Sequence, residues 1–347
     1  MYIKKILVAA SVVGLIILGG VSIYIYNTIF SPNTSFDTKT KSVYISTGSS
    51  LQEVVNQLHP HLKDTENFIT VAKKKGYGNN IKPGHFVLKQ DMNNNEIVNT
   101  LRSRNIPIKV SFNNQHRLED LAGRVGEQIE ADSLEILTAM VSKSFLDSME
   151  VSPLASMKYY IPNTYELYWN TSGEQFRDRM VKYFNEFWNK QRMNKAEKLK
   201  LTPQEVMSLA AIVHKETAKV VERPKVAGVY LNRLRRGMKL QADPTVIFAI
   251  QNQNKDFDTP IKRVLYKDLE LDSPYNTYKY AGLPPGLIAM PDISSIDAVL
   301  NAESHDYLYF AADTEKPGYH KFAKTLAQHN RNARAYQNWV NKQKIYR

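Results

Sequence analysis

The chain contains no cysteine among its 347 residues. Disulfides, thiolate nucleophiles and cysteine-ligated zinc are therefore excluded, although the absence identifies no compartment. Acidic residues are in short supply: 34 Asp and Glu face 46 Lys and Arg, a formal net charge of +12. That balance favours an acidic partner, whether nucleic acid, an anionic membrane or an anionic wall polymer, and does not choose among them. The eight histidines lack metal-ligand spacing, there is no HExxH, and His59-Pro60-His61 reads as a polar turn. No phosphate-cradling Walker loop or dinucleotide-binding glycine fingerprint is present. With 43% hydrophobic residues, the chain can bury ordinary cores. Its length suits a membrane anchor plus two or three modest domains.

Charge is missing altogether between Lys5 and Asp37. Residues 6–25 are mostly apolar, enough to cross a hydrocarbon core of roughly 30 Å as a helix. Tyr24 and Tyr26 stand near the far end, where amphipathic rings favour the interface. Lysines before the span and none just after it predict a cytoplasmic amino terminus, with the remainder outside. The alternative is a cleaved signal peptide, whose apolar core usually runs about 7 to 15 residues. The longer run, without a clear Ala-x-Ala site, favours an uncleaved anchor.

Beyond a polar linker at 31–41, residues 42–46 alternate as a strand. Helices are expected from Ser50 and over 64–75, a strand over 85–88, and another helix over 95–101. Residues 110–121 echo 43–54 as strand, turn and helix, which fits either duplication or chance similarity of two β-α units. Further helices are expected over 133–148 and 173–190, with a linker over 194–201. A hairpin pairs 307–311 with 320–322.

Thr202-Pro203-Gln204-Glu205 is a strong helix start, with a capping threonine, proline at the first helical position and glutamate for a capping box. The helix continues through a nearly all-apolar stretch to Lys215-Glu216-Thr217, so it should be buried. A carboxylate at the carboxyl end of such a helix opposes the helix dipole. Burial and dipole both raise its pKa, as a general acid requires. The plainer alternative is a solvated helix end with Glu216 paired to Lys219. Asp243-Pro244 reads as a helix cap followed by proline. The 282–288 segment, rich in proline and glycine, reads as a shaped loop, and the tyrosines and amide of 273–278 beside it either contact sugars or pack the loop.

The 209–250 text, LAAIVHKETAKVVERPKVAGVYLNRLRRGMKLQADPTVIFAI, closely resembles the YceG-like family of endolytic murein transglycosylases. IPNTYELYW upstream, and SPYNTY, AGLPPGLI, YLYFAAD, HKF and His329-Asn330 downstream, match the same family in order. The resemblance implies an α+β chain with a single transmembrane helix, a LysM-like α/β region and a mixed α+β catalytic domain. The expected divisions are anchor 1–30, linker 31–41, LysM-like 42–105, connecting region 106–158 and catalytic domain 159–347.

By the same match, Glu216 is the catalytic acid. Many relatives carry a second acid where His214 stands. Two helical residues rotate about 200°, so only one of positions 214 and 216 can face a cleft. Gln241, Asp243, Tyr275 and Asn276 are the expected substrate contacts, with Glu222 and Asn232 in support. The implied reaction is non-hydrolytic cleavage of the β-1,4 bond between N-acetylmuramic acid and N-acetylglucosamine. It leaves 1,6-anhydro ends, ends nascent glycan strands and needs no metal or organic cofactor. The implied partners are peptidoglycan strands, the cytoplasmic membrane and peptidoglycan polymerases, with nucleic acid excluded by export. A hydrolase using Asp243 or Glu222 as second carboxylate, and a catalytically silent wall-binding scaffold, are the alternatives.

Overall fold

Capped helices dominate the chain, and each of the three small sheets among the described residues has only two strands. The computed structural model describes residues 2–342 and is a mixed α+β fold. Met1 and the last five residues of the expected catalytic domain lie outside the described residues. The chain groups into two compact units. One runs from the amino-terminal helix to Val110, with Gln128–Ala131 and Glu166–Thr171 added; the other holds Ser111–Glu127, Asp132–Tyr165 and everything from Ser172.

In the first unit, strands Thr40–Ile45 and Gly84–Lys89 pair antiparallel, with Val43 opposite Phe86. Helices Leu51–Leu58 and Thr65–Lys74 lie between them in sequence. Ser50 starts the first helix through a reciprocal capping box with Glu53, and Asp64 caps the second through the Asn67 amide. Alternation along the strands turns Val43, Ile45, Phe86 and Leu88 inward onto Val54, Leu58, Phe68 and Val71. Helix Asn94–Arg102 adds Ile97, Val98 and Leu101 to this core.

The amino-terminal helix spans Tyr2–Phe30. Its 29 residues extend roughly 43 Å at 1.5 Å each. Its apolar side chains are exposed from Tyr2 to Tyr26. Among the described residues it alone is long and apolar enough to cross a membrane. Its carboxyl-terminal end is tied down, because the Thr28 carbonyl accepts a 2.8 Å bond from Asn94 Nδ2.

The second unit is built around the helix Pro203–Glu216, in which every residue from Val206 to Val213 is buried. Helices Arg223–Arg235, Asp243–Asn254 and Ile293–Leu300 supply the surrounding core side chains. Each fully buried Leu, Ile, Val or Met contributes about 1.5–3 kcal/mol, so this helix is fixed from all sides. Gly228 permits the close approach of one neighbour: a Cβ there would stand 2.5 Å from the Glu303 carbonyl oxygen. The hairpin Tyr309–Ala312 with His320–Ala323 places Phe310 opposite Phe322. The carboxyl-terminal helix Leu326–Lys342 follows it.

Two expectations are corrected. The 194–201 segment is not a linker; helix Lys190–Leu199 occupies most of it. Asn189 caps that helix by accepting from the Arg192 amide. Its Gln, Arg, Met, Lys, Ala, Glu and Leu residues are good helix formers. Only Ala196 is fully buried, so the helix carries little hydrophobic signal. The 133–148 helix divides into Ser133–Met140 and Lys143–Ser148. Ser142 Oγ donates to the Ala139 carbonyl at the break, competing with continued helix.

Candidate active site

The sequence signal at Thr202 translates directly into structure. Its Oγ1 accepts from the Glu205 amide at 3.2 Å, and Glu205 Oε2 accepts from the Thr202 amide at 2.7 Å. Buried residues then carry the helix to Glu216, its last residue. The Thr217 amide closes the final turn on the Val213 carbonyl.

The three side chains at this end diverge. His214 Nδ1 lies 3.3 Å from both Asp292 Oδ2 and Ser295 Oγ. Lys215 Nζ meets His116 Nε2 at 3.0 Å. Glu216 enters a cavity of about 330 Å³ that His214 does not line, bounded also by Tyr230, Arg233, Leu240, Gln241, Asp243, Tyr278, Phe310 and His329; His214 lines a separate one. The helical rotation that separates positions 214 and 216 is thus seen in their different surroundings.

Tyr230 sits on helix Arg223–Arg235, is nearly fully buried, and donates a 2.6 Å hydrogen bond to Glu216 Oε1. Burial is the main reason that the Glu216 pKa is pushed up to about 7. The Asp243 charge adds to the rise, while the Tyr230 hydrogen bond and the Arg233 guanidinium oppose it. Glu216 nevertheless keeps partial solvent exposure, so the group withdrawn from bulk water is still reachable. The result is a carboxyl group able to give and take a proton near neutrality.

Asp243 is the first residue of helix Asp243–Asn254; Ala242 occupies the cap position. The capping role read from the sequence is therefore corrected. Thr245 Oγ1 donates to the Ala242 carbonyl instead, and Asp243 Oδ1 accepts a 2.6 Å bond from Tyr278 in the cavity wall. Gln241 just before it has φ +51°, an uncommon conformation for a residue with a side chain. Its amide donates to the Thr277 carbonyl, and its Oε1 accepts from Arg233. Arg233 further donates to the carbonyls of Lys239, Leu240 and Leu308. One buried guanidinium thus ties the Gln241 turn to the hairpin approach.

The other sequence candidates fall outside the cavity lining. Asn276 is fully buried, and its amide donates to the Leu269 and Leu271 carbonyls while its Oδ1 accepts from the Tyr278 amide. It shapes the loop that presents Tyr278. Tyr275 is buried against Phe248, ring centroids 4.7 Å apart. Glu222 accepts from the His320 amide and lies 2.9 Å from its Nδ1. Asn232 Nδ2 donates to the carbonyls of His305 and Tyr307. These last two pin the hairpin to the helix carrying Tyr230.

Tyr230, Arg233, Tyr278 and His329 line the cavity and are absent from the sequence-based site. Tyr230 is hidden because its spacing also suits core packing, and its ring does pack edge-on to Phe310. His329 arrives from the carboxyl-terminal helix; its His329-Asn330 pair matches the family text, but that match assigned it no role. Among the described residues, no group of three or more His, Asp or Glu side chains could hold a metal ion.

Comparison with known proteins places this geometry in context. The chain is 29% identical over 342 residues to an endolytic murein transglycosylase of Bacillus subtilis, covering 92% of this chain and 91% of that protein. A protein of the same name from Streptococcus pneumoniae is 29% identical over 332 residues. That match takes in 86% of this chain but only 58% of the longer relative. A solved yceG-like protein from Listeria monocytogenes superimposes with a TM-score of 0.56 at 30% identity, covering 85% of this chain and 99% of that one. The model of the YceG-like family matches residues 43–335, and the chain belongs to that family.

Proposed function

We propose that this protein is an endolytic lytic transglycosylase of peptidoglycan, with Glu216 as both acid and base. The observation that carries the proposal is the hydrogen-bonded Glu216 carboxyl, its pKa pushed up to about 7, in a cavity of a YceG-like chain. Protonated Glu216 gives its proton to the glycosidic oxygen as the bond from muramoyl C1 breaks. The muramoyl 6-hydroxyl then attacks C1 and passes its proton to the Glu216 carboxylate. Glu216 is restored, no water is consumed, and the new end is 1,6-anhydro-N-acetylmuramic acid. Tyr230 occupies Oε1, which leaves Oε2 to carry the transferable proton.

Asp243 and Gln241 are the proposed substrate contacts. Asp243, held by Tyr278, would stabilise positive charge developing at C1. Glu222 and Asn232 support the site by fixing the hairpin, and Tyr275 and Asn276 by shaping the loop before Tyr278. One carboxyl suffices for the anhydro reaction because the nucleophile belongs to the substrate. Ordinary glycosidases use two, about 5 to 9.5 Å apart. The presence of Asp243 in the same cavity favours a hydrolase as the second reading. Mass spectrometry of products from uncrosslinked glycan separates the two. Anhydro ends are expected, two hydrogens and one oxygen lighter than the reducing ends that would establish hydrolysis. A silent wall-binding scaffold would show no clearing in zymograms of purified sacculi.

The wider organisation follows the same reading. The Tyr2–Phe30 helix would cross the cytoplasmic membrane with Lys4 and Lys5 inside, leaving the enzyme to work on the wall side. The β-α-α-β order of 40–89, with its strands antiparallel, supports the LysM-like assignment and a glycan-positioning role for that region. Peptidoglycan polymerases would be its neighbours when nascent strands are ended near the membrane.

A further inference from the structure

His329 is unlike the other groups lining the Glu216 cavity. Its Nδ1 is buried without a hydrogen-bond partner. Its ring stacks on Tyr309, with centroids 5.3 Å apart and planes 22° from parallel. Arg233 lies over the same tyrosine, 5.0 Å from its centroid. Leaving a buried N–H unpaired is worse than leaving a lone pair unpaired. The neutral ring therefore carries its proton on Nε2. Burial, with the Arg233 charge adding to it, holds the His329 pKa below its ordinary value, which favours the neutral ring. No described residue accepts a hydrogen bond from Nε2, so a neutral donor is left over in the wall of a cavity built around a catalytic carboxyl.

A neutral, donor-only nitrogen suits a neutral acceptor that cannot itself donate. On an N-acetylated glycan the strongest such acceptor is the acetamido carbonyl. Sugar hydroxyls both donate and accept, and would be served by either ring tautomer. The lining of the same cavity also includes Leu240 and Phe310, apolar surface of the kind an acetamido methyl needs. We propose that His329 is a substrate-contact residue that donates its Nε2 proton to the acetamido carbonyl of the glycan, making the site selective for N-acetylated strands. The assignment rests on the reading of the cavity as a glycan site.

The test is a substrate-by-variant cycle. Wild type, His329→Phe and His329→Gln are assayed on uncrosslinked strands and on the same strands chemically N-deacetylated. Phenylalanine keeps the stack on Tyr309 and removes the donor. Glutamine places an N–H near the Nε2 position. Wild type should prefer the acetylated strands. His329→Phe should lose about 10-fold or more in kcat/KM on acetylated strands, with little change on deacetylated ones, so the preference collapses. His329→Gln should keep most of it. Equal losses on both substrates would show a merely structural ring, and no loss on either would show that the donor is idle; each overturns the proposal. If His329→Phe does not fold, His329→Met supplies a donor-free side chain for the same comparison. Wild-type protein inert on both substrates would defeat the parent reading and this one with it, whereas active wild type with an unchanged preference in the variants defeats this one alone.

Discussion

Tyr230 donates its phenolic proton to Glu216 Oε1 at 2.6 Å from within the buried core of the second unit. The bond favours the ionised carboxylate, so it works against the burial that raises the Glu216 pKa. Removing it in Tyr230→Phe should move that pKa above about 7 and free Oε1 to hold the proton in a second orientation. The alkaline limb of the pH-rate profile should shift to higher pH, and the maximum rate should fall roughly 10- to 100-fold. An unmoved alkaline limb would show that Glu216 is not the group titrating there.

Glu216→Gln separates chemistry from stability. It keeps the size of the side chain but cannot transfer the proton, and activity should fall by at least about 10²- to 10⁴-fold. The folded pKa of Glu216 is raised, from 4.5 to about 7, so the folded state binds more protons between those values. Stability therefore falls as pH rises through that window. Glutamine mimics the protonated acid, so thermal melts should show the variant gaining on wild type between pH 5 and pH 8. A gain of roughly 1–3 kcal/mol is expected at the upper end. Parallel melting curves at all pH values would mean that the carboxyl is not strained when charged.

Asp292 anchors the far side of the helix that carries Glu216. Both its oxygens accept from Arg223 Nη1, at 2.9 and 2.8 Å, and Oδ1 accepts from the Ser295 amide and hydroxyl. Burial resists its charge, but hydrogen bonds from His214, Ser295 and Arg223 hold its pKa well below the usual carboxylate range. Arg223 is buried and also donates to the Thr217 carbonyl, beside Glu216. Asp292→Asn should cost about 1–3 kcal/mol in denaturant melts, because the buried guanidinium loses its countercharge while it keeps the Thr217 carbonyl and Ser294 Oγ. Activity should fall with stability. Wild-type stability at pH 7 would remove this network from the account of the site.

The Glu216 helix was legible in the sequence because its signals are local: a capping box, proline at the first position and a continuous apolar run ending in a carboxylate. Most of the cavity was not: of its nine lining residues only Glu216, Gln241 and Asp243 were named as site residues from the sequence. Asn276 beside Tyr275 reads as sugar-binding chemistry, yet its amide is consumed by loop carbonyls. Asp243 before Pro244 reads as a cap, yet it is the first helical residue and faces Tyr278. Tyr230 and His329 reach the cavity through tertiary packing of separate helices, which residue spacing does not encode. Helix Lys190–Leu199 was missed for the opposite reason, since it forms by capping and intrinsic propensity with little buried surface.

Topology has its own readout. Lys4 and Lys5 precede the span, and no charged residue follows until Asp37. A reporter that works only outside the cytoplasm should be active when fused to the carboxyl terminus, and a cytoplasm-dependent one should be silent. The reverse pattern would remove both the orientation and the wall substrate.

Asp243 decides between the two reaction classes. Its negative charge is one cause of the raised Glu216 pKa, and Tyr278 holds it in the same cavity. In Asp243→Asn that charge is gone, so the Glu216 pKa should drop and the alkaline limb should move to lower pH, opposite in sign to Tyr230→Phe. A transglycosylase needs no second base. The variant should therefore retain measurable activity, reduced by weaker stabilisation of charge at C1, and its products should still end in anhydro rings. A hydrolase that used Asp243 to activate water would instead lose nearly all turnover, and its wild-type product would end in reducing N-acetylmuramic acid. Measuring product ends and the pH profile on the same variant keeps the questions apart: the ends report which nucleophile attacks C1, and the limb reports how strongly Asp243 couples to Glu216.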